Sequence, residues 1–110
     1  MTLLQTMDRD QKQRREALRL ETRGKLRRAL EELRPSHAVI VFGSLVKPGR
    51  FTETSDVDLA LESEPSRMTV YQLIGLLSER LGRSVDVILL SESRFRQRIQ
   101  SEGERWTLPA

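Results

Sequence analysis

The longest uninterrupted apolar segment of this 110-residue chain is the five-residue run AVIVF at residues 38–42. Its β-branched side chains predict a buried β-strand, and the run is far too short to cross a membrane as a helix. Gly43 and Ser44 end the run, and Pro48-Gly49 predicts a turn shortly afterwards. Because a chain of this length supplies one hydrophobic core, we expect the other elements to pack around this strand in a single small domain.

Two further segments have the pattern of strands. Residues 55–61 alternate, with Asp56 and Asp58 on one face and branched apolar residues on the other. Residues 84–90 are mostly apolar, and Asp86 is the only ionisable residue among them. Three aspartates therefore lie on predicted strands, where this residue type is disfavoured.

Apolar residues at helical spacing predict three helices around these strands. The first ends before Pro35, the second occupies residues 66–82, and the third ends at Gly103. The resulting order, α-β-β-α-β-α, predicts an α+β domain whose small mixed sheet of about three strands has helices packed on one face. Tyr71 is expected to pack against the sheet, and Trp106 either to anchor a partner or to fold back onto its own domain.

The first helical pattern contains a glycine, Gly24, which costs about 1 kcal/mol relative to alanine. Residues 8–16 have no apolar side chain and cannot bury a face. We therefore expect the domain proper to begin near Gly24. The predicted divisions are a basic N-terminal arm or helix extension at residues 1–23, the domain at residues 24–104 and a C-terminal tail at residues 105–110.

The net charge of +3 is distributed unevenly along the chain. Residues 1–34 carry ten basic and six acidic side chains, residues 35–66 two and five, and residues 67–110 seven and five. The basic first third is compatible with nucleic-acid binding. It lacks the interleaved aromatic side chains that stack on bases, so a solvated helical arm is the favoured interpretation.

The residue types that are scarce in this chain exclude several kinds of chemistry. Cysteine is absent and His37 is the only histidine, which excludes disulfides and thiol catalysis and makes a Cys/His zinc site implausible. The first 20 residues lack the apolar core of a signal peptide, so a cytoplasmic location is expected.

The three aspartates and the Gly-Ser pair form a joint pattern. Asp56 and Asp58 are two residues apart on one strand, which places their Cβ atoms about 7 Å apart on the same face. Asp86 follows after one crossover helix, so its strand can be a neighbour. Carboxylates that share a site repel one another, and an all-oxygen set of this kind favours Mg²⁺. Gly43 and Ser44, directly after a buried strand, can bind phosphate oxygens through backbone N–H groups and a hydroxyl.

The segment Val41-Phe42-Gly43-Ser44, followed after eleven residues by Asp56-Val57-Asp58, resembles the Gly-Ser…Asp-x-Asp signature of the DNA polymerase β-like nucleotidyltransferase superfamily. More narrowly, the chain resembles the minimal nucleotidyltransferases, which are the antitoxins of HEPN-type toxin–antitoxin pairs. The likeness covers about residues 24–104 and implies a nucleotidyltransferase fold. It further implies a site in which Asp56 and Asp58 hold two Mg²⁺ ions, Asp86 completes the metal and catalytic set, and Gly43 and Ser44 bind nucleotide. Lys47 and Arg50 lie in the loop between the two motifs. Each is a candidate to neutralise phosphate charge at the nucleotide-binding site, and the alternative is a solvated loop cation.

The function implied by this resemblance is AMP transfer from ATP to a protein hydroxyl, a tyrosine of a HEPN ribonuclease toxin, which silences the toxin. The chain would then be a protein adenylyltransferase that assembles with its toxin, with no role for a membrane or a direct nucleic-acid ligand. Two alternatives remain open. One is a non-catalytic antitoxin of the same fold, although binding alone does not require three converging acids. The other is a small nucleic-acid-binding module that uses the basic arm, whose affinity would fall steeply with salt.

Overall fold

The computed structural model describes residues 1–109 as a mixed sheet with helices on both sides. Its helices are α1 (Leu3–Leu33), α2 (Val70–Leu81) and α3 (Arg96–Glu102), and its strands are β1 (Ala38–Phe42), β2 (Val57–Leu61), β3 (Val85–Leu89) and β4 (Glu104–Thr107). The strand order is β3-β2-β1-β4, in which β1 is antiparallel to β2 and β4 while β2 is parallel to β3. The predicted α+β class, the small mixed sheet and the N-terminal helix are confirmed.

Helices cover both faces of the sheet rather than one. On the first face, α1 and α2 pack on the larger apolar cluster, to which they contribute Leu26, Leu30, Leu73 and Leu77. On the second face, α3 packs on a smaller cluster formed by Ile40, Ala60, Leu90 and Ile99. Because side chains alternate along a strand, Asp58 shares this second face with Ala60. The smaller cluster thus lies beside the predicted site.

The structure adds a fourth strand where the sequence pattern predicts a C-terminal tail. Strand β4 pairs with β1 and places Trp106 opposite Val39. Trp106 is only 4% exposed, and the guanidinium groups of Arg23 and Arg27 lie 5.3 and 4.4 Å from the centroid of its ring. It therefore folds back onto its own domain, and its ring is not an exposed partner anchor.

Helix α2 forms the crossover between the parallel strands β2 and β3. Thr69 caps it, in a capping box with Gln72, so it begins three residues later than predicted. Gly82 ends it with a φ of +66°, in the left-handed region that favours glycine. Tyr71 lies in the first turn and is 86% exposed, so the prediction that it packs against the sheet is wrong.

Helix α1 passes through Gly24 without a break. Upstream of this glycine, Arg19 and Thr22 are both buried, so the helix contacts the domain earlier than the predicted boundary. Leu18 also packs against the larger apolar cluster, so the apolar pattern of the helix extends upstream of Gly24 as well. Although α1 has 31 residues, neither it nor any other helix within residues 1–109 is apolar enough to span a membrane.

Two truncations distinguish the exposed part of α1 from the packed part. Deleting residues 1–14, nearly all of which are exposed, is expected to change the Tm by no more than about 2 °C. Deleting residues 1–24 is expected to lower the Tm by more than about 10 °C, since it removes the contacts of Arg19 and Arg23. Calorimetry of both proteins beside the full chain measures the difference. Equal melting temperatures for the two deletions would contradict this division of the helix.

Candidate active site

Two of the three predicted aspartates lie side by side on parallel strands. Asp58 of β2 pairs with Asp86 of β3 on one side and with Phe42 of β1 on the other. The carboxyl end of β1 and the amino ends of β2 and β3 therefore meet at one edge of the sheet. Asp58 is half-buried at this edge, whereas Asp86 is exposed.

The third aspartate, Asp56, is exposed and lies just before β2, and its charge reaches Asp58. The pKa of the Asp58 carboxyl is raised from 3.8 to about 6, chiefly because burial disfavours its charged form. The negative charges of Asp86 and Asp56 raise this pKa further. The three carboxylates thus form one electrostatically coupled group with Asp58 at its centre.

The chemistry of this group suits a hard divalent cation. All its donors are carboxylate oxygens, which Mg²⁺ prefers, and a cation at Asp58 would offset the repulsion that raises its pKa. Within residues 1–109, no three acidic or histidine side chains already converge closely enough to hold a metal ion. Asp56 and Asp86 are both exposed, so their side chains have room to turn toward Asp58. The donor types of the three residues therefore fit Mg²⁺, and the side chains of Asp56 and Asp86 would have to turn toward Asp58 to hold it.

Gly43 packs directly against the central aspartate. Its φ is +76°, in the left-handed region, and a Cβ atom at this position would overlap Oδ2 of Asp58. It follows Phe42, the residue of β1 that pairs with Asp58. Glycine is thus required both by the backbone conformation and by the close approach of the carboxylate.

Ser44 follows in a short 3-10 turn, Gly43–Val46, beside the aspartates. It is half-buried, and the next residue, Leu45, is fully buried and anchors the turn in the core. The backbone N–H of Lys47 donates to the Ser44 carbonyl oxygen at 3.1 Å and closes the turn. The structure therefore brings Gly43 and Ser44 to the same edge as the three aspartates.

The contacts of the two predicted basic residues, Lys47 and Arg50, do not involve the aspartates. The ammonium group of Lys47 is 3.7 Å from a carboxylate oxygen of Glu102, so Lys47 links the loop to α3. Arg50 is exposed, and its backbone N–H donates to the Lys47 carbonyl oxygen at 3.1 Å. For Lys47 to reach a bound phosphate, its side chain would have to leave Glu102.

Arg83, which the sequence analysis does not select, orders the segment that leads to Asp56. Its Nη1 donates to the carbonyl oxygens of Ser55 and Thr52, at 2.7 and 3.3 Å. Its guanidinium group also lies 4.5 Å from the centroid of the buried ring of Phe51. Side-chain donors to backbone carbonyls leave no periodic signal, so only the structure identifies this residue.

Comparisons with known proteins identify a family and a shared fold. Residues 24–106 match the family model described as "Polymerase beta, Nucleotidyltransferase", a span that includes the Gly-Ser turn and all three aspartates. A similar solved structure, described as "Crystal structure of the toxin-antitoxin with AMP-PNP", has a TM-score of 0.60 and 22% sequence identity, over 76% of this chain and 72% of that one. At this identity the likeness shows the fold alone. No curated protein matches the chain.

Proposed function

This chain belongs to the polymerase beta-like nucleotidyltransferase family, and we propose that it transfers AMP from ATP to a hydroxyl group of a partner protein. The observation that carries the proposal is the half-buried Asp58, which packs against Gly43. The pKa of its carboxyl group is raised by burial and by the charges of Asp86 and Asp56. Nucleotidyl transfer needs carboxylates that hold Mg²⁺ at a triphosphate and a turn that binds phosphate oxygens. In this proposal the carboxylates are those of Asp56, Asp58 and Asp86, and the turn is Gly43–Val46.

In the proposed reaction, the acceptor oxygen attacks the α-phosphorus of ATP, the bond from this phosphorus to the bridging oxygen breaks, and pyrophosphate leaves. Asp86, exposed beside Asp58, accepts the proton of the acceptor hydroxyl. The Ser44 hydroxyl and the backbone N–H groups of its turn bind phosphate oxygens. Two Mg²⁺ ions, held by Asp56 and Asp58 with Asp86 as a further ligand, would supply positive charge that activates the acceptor and stabilises the leaving pyrophosphate.

Lys47 and Arg50, the basic residues of the loop, are proposed to make smaller contributions to phosphate binding. Arg50 is exposed on the loop between Ser44 and Asp56, where its guanidinium group would neutralise phosphate charge. Lys47 would do the same after exchanging its ion pair with Glu102 for the phosphate. Both side chains are exposed, so each contributes less than the half-buried Gly-Ser turn.

We propose a toxin as the partner, specifically a HEPN-domain ribonuclease that is silenced when one of its tyrosines receives AMP. The support is the Gly-Ser…Asp-x-Asp pattern together with the fold that this chain shares with a protein solved as a toxin-antitoxin with AMP-PNP. The chain would then be the antitoxin of the pair.

A second candidate is a non-catalytic antitoxin that binds its toxin and covers the toxin's active site. The observation in its favour is that, within residues 1–109, the three aspartates do not yet converge into a metal-holding group. This candidate predicts a stable complex with the toxin but no covalent change in it.

Labelled ATP distinguishes the two candidates. The full chain is incubated with the toxin, Mg²⁺ and ATP that carries label on either the α- or the γ-phosphate. We expect α-label to become bound to the toxin and γ-label to be released in pyrophosphate. Neither the labelling of the toxin nor the release of pyrophosphate should occur when the metal is chelated. Stable complex formation without protein-bound label would support the non-catalytic candidate. Protein-bound γ-label would indicate phosphoryl transfer and would overturn the proposal.

A further inference from the structure

Helix α1 contacts the turn that carries Ser44 through a residue upstream of the predicted domain boundary at Gly24. Arg19 of this helix is only 8% exposed, and its Nη1 donates to the carbonyl oxygen of Leu45 at 3.0 Å. Leu45 is itself fully buried and immediately follows Ser44. A guanidinium group of α1 thus fixes the peptide next to the proposed phosphate-binding hydroxyl.

A carboxylate one helical turn earlier holds this guanidinium group in place. Nε of Arg19 donates to Oε2 of Glu16 at 3.0 Å, and Nη2 donates to Oε1 at 2.6 Å. This two-point contact orients the planar guanidinium group so that Nη1 faces the Leu45 carbonyl oxygen. It also compensates the positive charge that Arg19 carries into a buried position.

The charge of Glu16 also acts on the same loop segment. The pKa of Glu16 is lowered, chiefly by its hydrogen bond with Arg19, and the backbone N–H of Gly49 lowers it further. The pair therefore contacts the segment at Leu45 through Arg19, while the Glu16 carboxylate interacts electrostatically with the backbone at Gly49. Arg83 holds the remainder of the loop through Thr52 and Ser55.

We infer that Glu16 and Arg19 are positioning residues that pre-order the Ser44 turn for nucleotide binding. The inference rests on the proposed function, because the turn needs this order for catalysis only if it binds phosphate. Without Arg19, oriented by Glu16, the free turn would be more mobile. It would then lose more conformational freedom when nucleotide binds, and this entropy loss lowers the affinity. Part of the segment predicted to be an arm would then belong to the functional site.

Nucleotide affinity is the first test, measured by titration calorimetry of the full chain with AMP-PNP and Mg²⁺. We expect Arg19→Gln to raise the Kd about tenfold, because it removes a charged hydrogen bond to the turn. Arg19→Lys keeps the charge but lacks the planar fork that contacts Glu16 at two points while Nη1 faces Leu45, so its Kd should lie between those of wild type and Arg19→Gln. A Kd for Arg19→Gln equal to that of wild type would overturn the inference.

Arg23→Gln is the matched control for this affinity measurement. Arg23 lies one turn further along α1 and is also partly buried, but it holds Glu104 and the ring of Trp106 instead of the loop. We expect its Kd to stay within about twofold of wild type while its stability falls. A tenfold loss of affinity in Arg23→Gln as well would show a general effect of weakening α1 and would overturn the specific role of Arg19.

Amide hydrogen exchange in the nucleotide-free protein supplies a readout independent of function. We expect exchange at residues 45–49 to accelerate at least about tenfold in Arg19→Gln and in Glu16→Gln, and to be unchanged in Arg23→Gln. Glu16 is partly exposed, so its variant carries the test if Arg19→Gln does not fold. Unchanged exchange in the folded Glu16 and Arg19 variants would overturn the inference. If wild type binds no AMP-PNP, the proposed function fails, and the exchange data alone decide whether the pair orders the turn.

Discussion

Asp58→Asn is expected to reduce nucleotide transfer at least about 1000-fold while raising the melting temperature of the metal-free protein. The loss of transfer follows because this carboxylate lies at the centre of the proposed Mg²⁺ site, and metal-ion catalysis supplies several kcal/mol of charge stabilisation. The gain in stability follows because asparagine removes the cost of burying a charged carboxylate and also the repulsion from Asp86 and Asp56. This opposite change of activity and stability is typical of a charged group that is kept for function at a cost in stability.

The stability effect of Asp58→Asn depends on pH in a defined direction. The pKa of Asp58 is about 6 in the folded protein, against an ordinary value of 3.8. Above the folded pKa the carboxylate is ionised in both states and destabilises the folded one. Below the ordinary value it is protonated in both states and the penalty disappears. Wild type therefore loses stability through this group as the pH rises between these two values.

Thermal melts in the presence of a chelator measure this penalty. Allowing for solvent screening of the half-buried carboxylate, we expect Asp58→Asn to gain about 1–2 kcal/mol, or roughly 5 °C in Tm, at about pH 7.5 and almost nothing at about pH 4. Glu53→Gln, which removes an exposed loop carboxylate from the same part of the chain, is the control and should change neither Tm nor transfer. A lower Tm for Asp58→Asn near neutral pH would contradict the claim that the charged Asp58 destabilises the folded protein. Retained transfer would contradict the catalytic role of Asp58.

Gly43→Ala is expected to lower the Tm by at least about 10 °C and to remove Mg²⁺-dependent nucleotide binding. An alanine at a φ of +76° costs about 1–2 kcal/mol of backbone strain. In addition, its Cβ atom would overlap Oδ2 of Asp58, so either the turn or the carboxylate has to move. The backbone strain and the steric overlap both destabilise the folded protein, and the overlap displaces groups at the centre of the proposed site.

Gly49→Ala is the matched control for this substitution. Gly49 has a similar φ of +81°, but a Cβ atom there would meet nothing within 4 Å. We therefore expect only the strain, a loss of about 4–8 °C in Tm, with nucleotide binding retained. Equal effects of the two substitutions in melting and in calorimetric titration would show that contact with Asp58 does not explain the glycine at position 43.

The elements that form the site were predictable from the sequence because each has a strong periodic signal. The apolar run at residues 38–42 and the alternation at residues 55–61 are typical of strands, and the structure forms β1 and β2 there. One helix between two strands makes a parallel neighbour favourable, which is how Asp86 comes to lie beside Asp58. Glycine followed by serine at a strand end correctly indicated a turn.

The parts that the sequence did not reveal depend on long-range contacts. Strand β4 has four residues, too few for alternation to be recognised, and it is stabilised by pairing with β1 and by arginines of α1 over Trp106. Arg19 and Arg83 act through backbone carbonyls far away in sequence, which no local pattern records. The ion pair of Lys47 with Glu102 depends on the placement of α3, so the loop's basic residues could not be assigned from their position alone.

The most direct measurement is an NMR titration of the Asp58 carboxyl group in the full chain. Without metal, the account predicts a pKa of about 6, raised by burial and by the two neighbouring aspartates. With saturating Mg²⁺ and AMP-PNP, it predicts that this pKa falls below the ordinary value of 3.8, because a bound cation favours the ionised carboxylate. A pKa that stays near 6 under those conditions would contradict the claim that Asp58 is the centre of a Mg²⁺-nucleotide site.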